Sequence, residues 1–118
     1  MPVVTRTFFG QLTSDDLFNS MIEIEGDARF DRLRHAISDF IAVTSDELTE
    51  VHVVEHAAID RAAAYTNPDL VISIVATDQR ILELAASYVA SRLAPYAVKT
   101  FPTLADARRY AGLSAAGP

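Results

Sequence analysis

The chain has 118 residues, which fits one domain of the usual size of roughly 100–150 residues. Half of the residues are hydrophobic, enough for one core, and the absence of cysteine excludes disulfides, Cys-ligated zinc and thiol catalysis. The net charge of −6 is the wrong sign for binding a phosphate backbone, so no nucleic acid partner is predicted.

Alternating strand and helix patterns begin close to the first residue. Residues 3–9 are rich in β-branched and aromatic types, which predicts a strand that ends at Gly10. Thr13 or Ser14 can cap a helix that stops near Gly26. Three apolar residues at helical spacing form the buried stripe of that helix: Leu17, Met21 and Ile24.

The second strand and helix depend on weaker signals. Residues 34–40 are predicted as a strand, because the later alternation of elements makes a strand more economical there than a helix. A hydroxyl cap followed by two acids predicts the second helix start, at Thr44, Ser45, Asp46 and Glu47. Pro68 ends this helix. Its buried stripe is predicted to comprise Val51, Val54, Ala58 and Ala62.

The remaining elements have clearer patterns. Residues 70–77 are almost continuously apolar, which is typical of a strand covered on both faces in a parallel sheet. A third helix is predicted from Gln79 to about Leu93 behind the cap Asp78. A strand over residues 97–101 and a helix over residues 104–110, capped by Thr103, follow it. The tail, residues 114–118, is expected to fray.

Four strands that are each followed by a helix predict one α/β domain over residues 1–113. The predicted fold is βαβαβαβα, with a mostly parallel four-stranded sheet flanked by helices. The wide apolar face of the third helix is best explained by packing on the sheet. A homodimer contact through the helix from Gln79 to Leu93 is the alternative.

Several short motifs lie at equivalent places along this pattern. They are Phe9-Gly10-Gln11-Leu12-Thr13, Asp39-Phe40-Ile41-Ala42-Val43-Thr44 and the final run from Val98 to Ala107. With the strong strand over residues 70–77, they resemble the small STAS-like (SpoIIAA-like) domains of bacteria. The resemblance implies a STAS-like fold and a non-enzymatic regulatory domain that binds another protein.

One departure from this family concerns regulation by phosphorylation. In its anti-sigma-factor antagonists, Val-Thr is followed by an Asp-Ser-Ser-Gly-type run that carries the phosphorylated serine. This chain instead reads Val43-Thr44-Ser45-Asp46-Glu47, and Ser45 is better explained as a helix cap. The phosphoserine switch is therefore not expected.

Partner binding is predicted at the carboxyl ends of the central strands. Helix N-termini there would offer free backbone N–H groups and the positive end of a dipole to an acid or phosphate of the partner. The predicted contact residues are Asp39, Val43, Thr44, Ser45, Asp46, Glu47, Thr77 and Asp78.

Two other kinds of site are considered. A small apolar ligand or a lipid could bind between sheet and helices, against Phe8, Phe9, Phe40 and Tyr88. The run His52-Val53-Val54-Glu55-His56 matches the H-x-x-E-H pattern of inverted zinc metallopeptidases, because histidines four apart on a helix point the same way. Metal binding through His52, Glu55 and His56 is the weaker alternative.

Other catalytic arrangements are not predicted. The chain has no Gly-rich phosphate loop and no G-x-S-x-G elbow, so no cofactor and no enzymatic activity are expected. His35 and Asp39, four apart on one face of a strand, are expected to form a buried hydrogen-bonded pair. Neither an export signal nor an integral membrane segment is predicted, which favours a cytoplasmic location.

Overall fold

The structure, a computed structural model, describes residues 2–115. Its elements are β1 (Val3–Leu12), α1 (Ser14–Glu25), a 3₁₀ turn (Phe30–Arg32), β2 (His35–Asp46), α2 (Glu50–Ala63), β3 (Val71–Val75), α3 (Gln79–Ala90), β4 (Ala97–Phe101) and α4 (Leu104–Tyr110). The predicted βαβαβαβα fold is confirmed. The prediction of a frayed tail falls mainly on residues 116–118, which lie outside the described residues.

All four strands are parallel, and they lie in the order β1-β2-β3-β4. Right-handed crossovers between successive neighbours place the connecting helices on one face of such a sheet. The main core accordingly joins that face to α1, α2 and α3. A smaller core joins the opposite face to α4, through Ile37, Val75, Ala107 and Ala111. Within residues 2–115, no helix is long and apolar enough to cross a membrane.

Side-chain caps fix three of the helix starts where the sequence predicts them. Thr13 caps α1 and forms a reciprocal capping box with Asp16. Asp78 caps α3 by accepting hydrogen bonds from two backbone N–H groups, and Thr103 caps α4. These local hydrogen bonds are encoded within four residues, which explains why the sequence alone identifies them.

The predicted start of the second helix at Thr44, Ser45, Asp46 and Glu47 is wrong. β2 continues through this segment, because its residues 43–46 pair with residues 10–12 of β1. Asp46 Oδ1 then accepts a hydrogen bond from Leu48 N at 2.9 Å, which turns the chain. Thr49 is the true cap, and its hydroxyl accepts a hydrogen bond from His52 N.

The prediction that Gly10 ends the first strand is also wrong. β1 continues to Leu12, which is buried in the core. Gly10 has φ +65° and lies at the second of two register shifts between β1 and β2. A residue without Cβ adopts this backbone conformation without strain, so the glycine lets β1 follow an irregular part of the ladder.

Helix α2 faces the core with the side opposite to the predicted one. Its buried residues are Val53, His56, Ala57 and Asp60. The predicted buried stripe of Val51, Val54, Ala58 and Ala62 is exposed. The physical reason is that the interior supplies a hydrogen-bond donor for Asp60, the hydroxyl of Tyr88, which hydrophobic periodicity does not take into account.

Candidate functional site

Most of the predicted contact residues lie at the carboxyl ends of β2 and β3, whereas Asp39 lies in the middle of β2, and all four acidic groups have local partners. Asp39 Oδ1 accepts a hydrogen bond from Ile41 N at 3.0 Å, and Glu47 Oε1 accepts one from Ser14 N at 3.0 Å. Asp78 is the cap of α3. The carboxylates of Glu47 and Asp78 therefore stabilise helix starts, and that of Asp39 lies where the pairing of β2 with β1 shifts register.

Asp46 is held in a similar way. Besides its bond to Leu48 N, its Oδ1 lies 3.8 Å from Arg80 Nε. Thr44, Ser45 and Thr77 are exposed, whereas Val43 is partly buried against the core. Residues 43–46 thus form the end of a strand and not the helix N-terminus that was the reason for predicting partner binding here. Partner binding at these residues stays a prediction.

The three residues of the H-x-x-E-H motif do not converge on one point. His52 Nδ1 accepts a hydrogen bond from Thr49 N at 3.1 Å, whereas Glu55 is exposed. His56 is only 7% exposed and faces the interior. In the part of the chain that the structure describes, no group of three or more His, Cys, Asp or Glu could hold a metal ion.

The expected hydrogen bond between His35 and Asp39 is not present in the structure. The carboxylate of Asp39 instead bonds to the backbone, as described above. The ring of His35 meets Tyr110 of α4 edge-on, with 6.0 Å between the ring centroids. The packing of α4 on this face therefore determines the environment of His35.

A polar cluster lies between the sheet and the α1–α3 layer, and Arg6 of β1 is its cation. Arg6 donates from Nε to Ser38 Oγ at 2.8 Å and from Nη1 to Ser20 Oγ at 2.9 Å. Its guanidinium carbon lies 5.4 Å from the ring centroid of Phe8. Arg6 forms no salt bridge with any residue from 2 to 115.

Asp60 of α2 is the acidic centre of the cluster. It is buried, and the hydroxyl of Tyr88 donates to its Oδ2 at 2.7 Å. Burial and the neighbouring carboxyl group of Asp60 raise the pKa of Glu25 to about 9. Glu25 is therefore protonated at neutral pH.

The same environment also shifts the pKa values of His56 and Tyr88. Burial lowers the pKa of His56 to about 4, against the opposing effect of Asp60, whose Oδ2 lies 3.7 Å from His56 Nε2. Burial and the Asp60 charge raise the pKa of Tyr88 far above its ordinary value. At neutral pH Arg6 is thus the cation of the cluster, whereas Glu25, His56 and Tyr88 are uncharged.

A cavity of about 80 Å³ borders this cluster. Arg6, His56 and Asp60 lie on its wall, and most of the remaining wall is apolar, including Phe40, Leu48, Ile72, Ile74, Leu84 and Ala85. A smaller cavity of about 30 Å³ also touches these three polar residues. The three side chains lie against the cavity, but the surface that the cavity presents is almost entirely apolar.

Two of the four aromatic residues predicted to line a ligand cavity do so. Phe40 and Tyr88 contribute to the wall. Phe8 is buried and stacks on Phe40, with 5.0 Å between the ring centroids. Phe9 is 77% exposed and does not line the cavity.

Arg6 and Asp60 are the site residues that the sequence analysis missed. A signal for Arg6 was available, because alternate residues of a strand share a face and Val4, Arg6 and Phe8 alternate within the predicted strand. Asp60 had no such signal, since the predicted orientation of α2 placed the wrong side of the helix toward the core.

Comparisons with known proteins identify no relative: no protein-family model, no curated protein and no solved structure matches the chain. The STAS-like resemblance stays a prediction. Functional inference consequently depends on the geometry described above.

Proposed function

We propose that the protein is a non-enzymatic binding protein that holds a small, mainly apolar molecule between its sheet and the α1–α3 layer. The observation that carries the proposal is the apolar cavity that ends on Arg6, His56 and Asp60. Ligand sites in proteins combine apolar walls with a few polar groups that fix orientation, and shifted pKa values often accompany them.

The wall of the cavity is almost entirely apolar, which favours an uncharged ligand or the uncharged end of one. Arg6 and Asp60 lie in this wall, but their polar atoms are scarcely accessible from the cavity, so the enclosed part of the ligand makes few hydrogen bonds. A ligand anion would add a second negative charge beside Asp60, and a cation would add a second positive charge beside Arg6. Either addition costs free energy in an interior of low dielectric constant.

The size of the cavity limits the part of the ligand that is enclosed. Its volume of about 80 Å³ is roughly half that of the engineered cavity of about 150 Å³ that binds benzene. By this ratio the cavity encloses a group of about three non-hydrogen atoms, either as a whole molecule or as one end of a longer one such as 1-butanol.

The STAS-like resemblance supports the non-enzymatic and regulatory part of the proposal. A regulatory domain that binds a small molecule can pass the signal on by changing its affinity for a protein partner. The exposed residues Thr44, Ser45 and Thr77 stay candidates for such a contact.

The test is a titration of the protein with 1-butanol, followed through the NMR signals of its methyl groups. We expect saturable shifts confined to the cavity wall, with a Kd near 1 mM, about −4 kcal/mol. Ala85→Leu fills the cavity and should abolish the shifts. Ala86→Leu is the matched control, because Ala86 is the next residue of α3 and is exposed.

Two results would contradict the proposal. One is the absence of saturable shifts at the cavity wall in the unmodified chain. The other is equal binding by the Ala85→Leu and Ala86→Leu proteins, which would place the alcohol elsewhere on the molecule.

A further inference from the structure

The outward side of α2 carries an aligned row of apolar residues, here called the outer stripe: Val51, Val54, Ala58 and Ala62. Val51 is 65% exposed and Val54 is 46% exposed, and both alanines are exposed as well. Successive spacings of three, four and four residues place all four on one side of a helix. Tyr65, 90% exposed, follows just beyond the end of α2.

This pattern departs from ordinary helix amphipathicity, because α2 carries apolar residues on both sides. The inner side buries Val53 and Ala57 together with His56 and Asp60, while the outer side presents valines to solvent. Single exposed apolar residues are normal on protein surfaces, whereas contiguous exposed apolar surface marks interaction sites.

Acidic side chains flank the outer stripe on both sides. Glu50 precedes Val54 by one helical turn, and Glu55 follows Val51 by one turn, on the opposite side of the row. The layer formed by α1, α2 and α3 exposes six acids against two arginines, Arg61 and Arg80. The acids are Asp15, Asp16, Glu23, Glu50, Glu55 and Glu83.

This charge distribution selects the kind of partner. A second copy of the chain would bring the same acidic layer against itself, and like charges across an interface oppose association. The two arginines offset this effect only in part, because Arg80 already lies beside Asp46 and Arg61, at the carboxyl end of α2, is a single cation against six acids. A positively charged partner gains free energy from the same acids.

We propose that the outer stripe docks the apolar side of a cationic amphipathic helix from another protein. The apolar residues of that helix pack on Val51 and Val54, while its lysines or arginines pair with Glu50 and Glu55. Recognition of an amphipathic helix by an apolar surface is a recurrent mode of peptide binding. The surface is independent of the cavity, which borders the inner side of α2.

The probe is a fluorescein-labelled amphipathic peptide of leucine and lysine, and the measurement is fluorescence anisotropy. We expect a micromolar Kd and at least about tenfold weaker binding of the matched leucine–glutamate peptide. Val54→Ser and Glu55→Gln should each weaken binding about fivefold. Val89→Ser on α3, where the valine is 60% exposed, is the control and should leave the Kd unchanged.

Circular dichroism of each variant separates loss of binding from loss of fold. An unchanged Kd in the Val54→Ser protein would show general charge attraction and overturn the proposal, as would equal binding of the two peptides. Micromolar self-association that Val54→Ser abolishes would also overturn it, because a second copy would then cover the outer stripe.

Discussion

Glu25 and His56 make the stability of the protein depend on pH in opposite directions. The pKa of Glu25 is about 9 in the folded state against an ordinary value of 4.5. The folded state therefore binds more protons than the unfolded state between these values, and stability falls as pH rises through this window. His56, whose pKa falls from 6.5 to about 4, costs stability as pH falls through that lower range.

The Glu25→Gln variant tests the first of these effects between pH 7 and pH 9, where His56 is neutral in both states. Glutamine imitates the protonated carboxyl, so we expect the loss of stability with rising pH to disappear. In the unmodified chain that loss should be well below the one-proton limit of about 1.4 kcal/mol per pH unit, because Glu25 is partly exposed and solvent screens it.

Urea denaturation at several pH values measures the free energy of unfolding for this comparison. Glu23→Gln is the matched control on the same helix, because Glu23 is exposed. A pH slope that Glu25→Gln leaves unchanged would show that the pKa of Glu25 is not raised in the folded state.

In the polar cluster, the sequence indicates which side of its strand Arg6 occupies but does not indicate its hydrogen-bond partners. A period of two marks the inward side of β1, and this places Arg6 toward the core. The partners of Arg6 cannot be found in the same way, since Ser20 and Ser38 come from two other elements. Contacts between distant segments depend on how helices lie on the sheet, which local patterns do not specify.

At the level of elements, two threonines compete for the start of α2. Both Thr44 and Thr49 are β-branched hydroxyl residues ahead of an acidic residue, and cap preference alone does not separate them. Pairing of β2 with residues 10–12 of β1 decides the outcome, because it keeps residues 43–46 in a strand. The long-range ladder therefore overrides a local signal.

Alanine substitution distinguishes these two positions. Thr49→Ala removes the hydroxyl that caps α2 and should destabilise the protein by about 1 kcal/mol. Thr44→Ala changes an exposed strand residue and should cost about 0.5 kcal/mol or less. Thermal or urea unfolding compares them, and the reverse order of the two effects would place the helix start at Thr44.

Local sequence patterns also fail to predict which side of α2 faces the core. Hydrophobic periodicity predicts that the valines and alanines of the outer stripe are buried, as in most amphipathic helices. The structure instead buries Asp60, because the Tyr88 hydroxyl on α3 supplies a hydrogen bond to it. An acidic residue is buried only where such partners exist, and they lie in another part of the chain.

At the level of the whole molecule, the sequence predicts the parallel sheet well, because strand and helix patterns alternate along the chain and Pro and Gly residues lie between them. It does not predict the division of the helices, three on one face and one on the other. That division creates both features on which function is proposed here. The cavity lies beneath α2 and α3, and the outer stripe lies on the solvent side of α2.

A crystal of the protein pressurised with xenon tests the presence of a ligand cavity most directly. Xenon occupies apolar cavities without needing a polar partner, and its electron density is easily recognised. We expect a xenon site between Phe40, Ile72 and Leu84, which is lost in the Ala85→Leu protein. Side-chain density that fills this position, with no bound xenon, would contradict the presence of a ligand cavity.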